Sequence, residues 1–272
     1  MIGSARGASE LRSSLALVKR NLSLVRRDGG WELVYMAYEV VNVLTIGFIG
    51  VSGNPEGAND RVLFLVAGAL LWGFLSMLFH EVAESVAWER WEGTIEYSFM
   101  APQSRVKYMA GVCMWGICYG LVRTMLCLAA VTLAFSISLE GANLWAALVT
   151  LAASSLAFIG MGLAAAVLPL ISPEKGSPAT HIFQALVLLV SGVYYDVSVL
   201  PAWMQPLSAL SPATYTLRAA RAALLDGASV AALSPELVKL LVLGIVLVPL
   251  GYAVFRAGER YAMRTGKLKR NG

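Results

Sequence analysis

The chain has 272 residues, 58% of them hydrophobic and only 14% charged, with a mean hydropathy of +0.68. A soluble domain sits nearer half apolar and one quarter charged, so these proportions exclude an ordinary water-soluble enzyme, a disordered chain and a disulfide scaffold. The net charge of +4 is concentrated at the ends, with six Lys/Arg in the first 31 residues and six from Arg256 onward; that pattern suits flanks beside anionic lipid, not a nucleic-acid surface.

Residues 1–31 are polar and basic and lack an apolar core, so no cleaved signal peptide is expected. Within them Leu11, Leu15, Val18, Leu22 and Val25 fall at intervals of four and three, one apolar stripe on a helix. Arg12, Lys19, Arg20, Arg26 and Arg27 surround that stripe, which predicts a helix lying in the membrane interface over 9–27. Little more than two heptads is short for a coiled coil.

Crossing about 30 Å of hydrocarbon takes roughly 20 apolar residues. Six segments meet that requirement: 32–50, 62–83, 107–136, 144–170, 179–197 and 237–256. The second opens with an uncharged run from Val62 to Phe79, the third is interrupted only by Arg123, and the sixth carries Pro249. Six spans put both termini on one side. With the termini inside, sixteen Lys/Arg fall on inner segments and four on outer ones, which predicts cytoplasmic ends in an inner or plasma membrane.

Two connecting pieces stand out. Residues 81–105 carry Glu81, Glu84, Glu89, Glu92 and Glu96 against Arg90 and Arg105. Trp88, Trp91, Ile95 and Phe99 define one helical face, while Glu89, Glu92 and Glu96 define another. Gly93-Thr94 is expected to break the helix and Pro102 to stop it. This pattern fits either an acidic contact surface or a solvated helix with its tryptophans at the headgroups. Residues 197–226 are nearly uncharged yet broken by Pro201, Pro206 and Pro212, with Trp203 among them. Irregular backbone at membrane depth must pack in protein or line a wet cavity, so a pair of short re-entrant or surface-lying helices is expected; the alternative is a plain loop with an amphipathic helix near 214–225.

Chemistry is sparse. No GxxxxGK[ST] and no GxGxxG is present. His80-Glu81 lacks the second histidine of a zincin, and the only other histidine is His181, so no metal site is expected. Cys113, Cys118 and Cys127 share one apolar segment and read as buried thiols. Glu39 and Arg123 are ionisable groups inside spans, which makes them pathway candidates. Counted from the inner ends of their segments they lie about 10 Å and about 24 Å deep, so a direct ion pair between them is not expected. Gly116 and Gly120 permit close helix packing.

Two stretches resemble a known family. Trp88-Glu89-Arg90-Trp91-Glu92-Gly93-Thr94-Ile95-Glu96, with Pro102 following, is similar to the Glu-Arg-x-x-Gly-Thr-x-Glu run of ABC-2 type exporter permeases. Ser191-Gly192-Val193-Tyr194-Tyr195-Asp196, then Leu200-Pro201, Leu210-Ser211-Pro212 and Arg218 or Arg221, resembles the family's Ser-Gly, Leu-Pro and Asn-Pro sequence before the last helix. Asp196 stands where Pro is usual and Ser211 where Asn is usual, so the geometry of the outer loop is the part to examine.

The resemblance implies a single ABC-2 transmembrane domain over 1–272. Its fold is all-α: six transmembrane helices, an interfacial helix at 9–27, a cytoplasmic coupling helix in 84–105 and short outer helices in 197–226. It implies an exporter permease for a lipophilic or amphiphilic substrate, working as a homodimer or with a similar permease. Two ATPase subunits bind ATP and Mg, and this chain has no cofactor or catalytic residue of its own. Glu89, Arg90, Glu92, Gly93, Thr94, Glu96 and Pro102 would couple to the ATPase. Ser191, Gly192, Asp196, Pro201, Trp203 and Pro212 would form the outer gate. An ion-coupled carrier or a channel is the competing class; it needs more intramembrane ionisable groups or an internal repeat. A lipid-acting enzyme would need an interfacial His, Asp or Cys cluster, and none is evident.

Overall fold

A computed structural model describes residues 18–52, 58–93, 105–135, 141–172 and 175–265. Helix and short turns account for all of these, with no strand among them. Residues 18–27 form α1, the described part of the expected interfacial helix; 9–17 lie outside the described residues. A turn at Asp28 leads into α2 (Gly29–Val51). Then follow α3 (Ala58–Glu92), α4 (Arg105–Phe135), α5 (Leu144–Ala165), α6 (Val167–Ile171) and α7 (Gly176–Val190). A single 3₁₀ turn at Val197–Val199, α8 (Gln205–Leu210) and α9 (Pro212–Leu225) precede α10 (Ser234–Arg264).

Five of these helices are long and apolar enough to cross a bilayer: α2, α3, α4, α5 with α6, and α10. The expected fifth span, 179–197, needs correcting. Its helix is α7, which ends at Val190 after 15 residues, about 22 Å at 1.5 Å per residue and short of the hydrocarbon thickness. An uncharged run continues to Tyr195, but Gly192 adopts φ 71°, a left-handed conformation open to glycine at little cost, and turns the chain.

The bundle has two ends. The apical end gathers the end of α2, the starts of α3, α5 and α10, and α8 with α9. Asn143 donates its N–H to Ala223 O there at 2.8 Å, and its side chain caps α5 by accepting from Ala146 N at 3.0 Å. The basal end gathers α1, the end of α3 and the starts of α2, α4 and α7. Central to both is α3, whose Phe74, Leu75, Leu78, Phe79, Val82 and Ala83 are buried. Gly116 and Gly120 of α4 do face α3, against Leu78 and Phe74. By contrast α2 buries only Val43, Gly47 and Gly50 and leaves Trp31, Leu33, Tyr38, Phe48 and Ile49 exposed, as a helix bathed in hydrocarbon does. Of the three cysteines, Cys113 and Cys127 are buried thiols and Cys118 is exposed.

Helices α5 and α10 run parallel along a seam of small residues. Gly244, Gly251 and Gly258 recur every seven positions on α10, which keeps them on one face. They meet Leu156, Gly160 with Leu163, and Val167 in turn. Without a hydrophobic drive between helices in lipid, such close backbone approach is what holds them together.

Candidate functional site

Two constellations assemble from the expected residues. At the basal end α1, α2, α3 and α4 enclose a cavity of about 440 Å³. Its upper limit is an ion pair between Arg123 and Glu39, with Arg123 Nη2 also donating to Tyr35 O at 3.2 Å. The glutamate fits because α3 is thin there: a Cβ on Gly73 would stand 2.7 Å from Glu39 Oε1. This pairing corrects the expectation drawn from depth. Tyr119 donates to Glu32 and Phe135 packs on Phe48, both across an offset of 87 residues. On that register Arg123 is level with Met36, within a turn of Glu39. The first 11 residues of α4 project below the start of α2, so counting from the inner end of each segment misplaced the two. Both partners are mostly buried, with 18% side-chain exposure each. Glu39→Gln is therefore expected to lower the thermal midpoint of the purified protein more than Glu39→Gln with Arg123→Gln. The single change strands a guanidinium that the double change removes; equal shifts would show the two to be energetically independent.

Lower in the cavity, Trp115 and Tyr119 stack with centroids 5.3 Å apart and planes 14° apart. Glu81 belongs to the same wall and reaches over Gly116. Glu84 accepts from the Ser177 hydroxyl at 2.5 Å. His80 and His181, distant in sequence, stack at 5.5 Å; no group of three or more potential metal ligands forms among the described residues.

The expected coupling residues divide. Glu89 is 2% exposed and lines the cavity, whereas Trp88 is 54% exposed. The anticipated faces are thus reversed at this point, because α3 continues unbroken from the span to Glu92. Glu89 follows Glu81 by eight residues and inherits its inward face. Gly93, at φ 74°, ends the helix as expected. Arg90 and Glu92 lie in the last turns of α3; Thr94, Glu96 and Pro102 lie outside the described residues.

The second constellation closes the apical end. Ser191 Oγ and Ser211 Oγ meet at 2.7 Å in a buried contact. Serine at 211 in place of the family's asparagine therefore joins the end of α7 to the start of α9, where Pro212 is buried. Asp196, in place of the family's proline, caps the 3₁₀ turn by accepting from Ser198 N at 2.8 Å, a bond that holds its carboxyl below the usual range. Pro201 and Trp203 are exposed, the latter by 73%. Most of α9 is buried against α3, α5 and α10, whereas α8 buries only Ser208, so 197–226 is one packed and one surface-lying helix and not a plain loop.

Charge counting missed the residue that locks this end. Arg221, treated as one of four outer cations, donates to Gly192 O at 3.1 Å, to Phe64 O at 3.2 Å and to Val193 O. Its guanidinium carbon stands 3.6 Å above the Phe64 ring. Arg218 is exposed.

Five helices long and apolar enough to span, with a cavity at one end and the buried α9 at the other, mark a multi-pass membrane protein. The family model for the ABC-2 type transporter matches residues 13–225. The chain belongs to the ABC-2 type transporter family, a family of permeases and not of ATPases. No curated protein matches it.

Proposed function

We propose that the chain is the membrane subunit of an ATP-driven exporter that moves a lipophilic or amphiphilic molecule by alternating access. The observation that carries this reading is membership of the ABC-2 family over residues 13–225. Such permeases work with an ATPase subunit; two copies would serve a homodimer, or a pair with a similar permease, and would hold ATP and Mg. In this reading α7, short of a full span, takes the fifth of six positions, and α8 with α9 covers its apical end. The basal end faces the cytoplasm, as the excess of Lys/Arg on that side favours.

In this reading α3 projects past the bilayer to Gly93 and presents the segment that ends at Pro102 to the ATPase. Nucleotide-driven closure of the ATPases tilts α3 and α4 and releases the apical lock held by Arg221, Gly192 and Ser191. Coupling rests on Glu89, Arg90, Glu92, Gly93, Thr94, Glu96 and Pro102. The gate comprises Ser191, Gly192, Asp196, Pro201, Trp203 and Pro212, and Glu39 with Arg123 border the pathway.

The reading expects a P-loop ATPase encoded beside this chain, and the test is co-purification with it. Glu92→Lys with Glu96→Lys is expected to release the ATPase while the permease still inserts, because charge reversal at a polar contact repels the partner. Full recovery of the ATPase with the double variant would remove the docking surface. Transport that continues in vesicles containing this chain alone would favour the ion-coupled class.

A further inference from the structure

The basal cavity holds more acid than its own bonds engage. Asp28 is taken by Arg27 at 3.0 Å, Glu32 by the Tyr119 hydroxyl, Glu39 by Arg123, and one oxygen of Glu84 by Ser177. Glu81 lines the cavity half-buried and has no hydrogen bond or ion pair among the described residues. Arg123 reaches it only through space, and the nearby cations are bonded or exposed elsewhere. Arg123 is held by Glu39 and Tyr35, Arg27 by Asp28, and Arg20 is exposed at the mouth. A half-buried carboxylate without donors gains from an arriving counter-charge, which favours its charged form.

The walls specify what else the visitor must be. Trp115 and Tyr119 form a stacked aromatic surface, and Trp88 and Tyr108 also line the cavity. A volume of about 440 Å³ falls in the range of sites for drug-sized molecules. Aromatic faces attract cations, and the same faces bury apolar rings. An anion would meet the carboxylates of Glu81 and Glu84. Leu24 and Val25 of α1 also line the cavity, and α1 is the helix expected in the membrane interface, where amphiphilic cations collect.

The geometry points to a binding site for an amphiphilic organic cation, its charged centre at Glu81 beside Glu84 and its apolar body against Trp115 and Tyr119. This deepens the exporter reading and rests on it for the role of the cavity as a cargo site. Binding itself requires neither ATP nor a partner.

The experiment is equilibrium binding of radiolabelled tetraphenylphosphonium to the full chain in zwitterionic nanodiscs, without ATPase or nucleotide, with empty discs subtracted. Saturable binding is expected, and Glu81→Gln should weaken it by about tenfold or more, the scale of one lost charged contact. Asp226→Asn, an exposed change at the apical end, should leave it unaltered. Tetraphenylborate, of the same shape and opposite charge, should fail to compete. No saturable binding, equal affinity in a Glu81→Gln protein that keeps its size-exclusion profile, or competition by tetraphenylborate would each overturn the proposal. If Glu81→Gln loses that profile, Glu84→Gln is judged by the same readout. Binding as expected without ATP-driven movement in the complete complex would preserve the cation site and defeat the exporter reading.

Discussion

Arg221→Leu is expected to unlatch the apical end and to lower the thermal midpoint of the purified protein more than any other single change of a polar residue. One guanidinium serves three carbonyls, those of Phe64, Gly192 and Val193, and lies flat on the Phe64 ring. A hydrogen bond to a charged group contributes about 1.5–3 kcal/mol, and a buried carbonyl left without a donor costs about 1–3 kcal/mol. These terms overlap, so a loss of roughly 3 kcal/mol is a floor and not a sum. Leucine retains bulk over the ring but offers no donor to the turn at Gly192. Arg221→Lys should fall between the two, because a single ammonium keeps the charge but cannot reach three acceptors and stack at once. A wild-type midpoint for Arg221→Leu would show that the turn is held by packing alone.

The second large effect is expected at Gly251. A Cβ placed there would stand 2.0 Å from Gly160 O, and one on Gly160 would stand 2.4 Å from Leu247 C. The obstructing atoms are backbone, which cannot rotate away as a side chain would. Gly251→Ala must push α5 and α10 apart, at or above the upper end of the roughly 1–3 kcal/mol typical of overpacking. Gly251→Leu should abolish recovery of folded protein from the membrane. Gly30→Ala is the matched control: nothing lies within 4 Å of its Cβ position, and removing a glycine from a helix is worth up to about 1 kcal/mol in its favour. Size-exclusion profiles and thermal midpoints read both. A Gly251→Ala protein as stable as the Gly30→Ala protein would mean that the seam is looser than its distances.

Much of this architecture is legible from patterns that repeat. Runs of apolar residues reveal the long helices, Gly93 ends α3 where the sequence places a break, and the prolines of 197–226 mark a short helix pair. What stayed hidden depends on how helices stand relative to one another. Hydropathy counts the uncharged run from Gly176 to Tyr195 as one length and cannot register the turn that Gly192 makes inside it. Depth measured from each segment's start assumes level starts, so it separated Glu39 from Arg123 although α4 begins far below α2. The faces assigned to Trp88 and Glu89 treated 84–105 as a fresh helix, whereas the phase is inherited from α3. Arg221 looked like an outer charge because counting cations ignores which way a helix is turned. The Gly244, Gly251 and Gly258 seam was in plain view at a seven-residue interval, but four-residue spacing is the usual place to look for close packing in membranes.

The unbroken course of α3 has a mechanical consequence. Its 35 residues contain no proline and make a rod about 52 Å long. That rod touches Arg221 through Phe64, carries Gly73 beneath Glu39, presents Glu81 to the cavity and stops at Gly93. A rigid strut pivoting by about 5° at its middle swings each tip by roughly 2 Å in opposite directions, comparable to the margin by which a hydrogen bond is made or broken. A push at the foot of this helix thus arrives at its head without any relay of intermediate rearrangements.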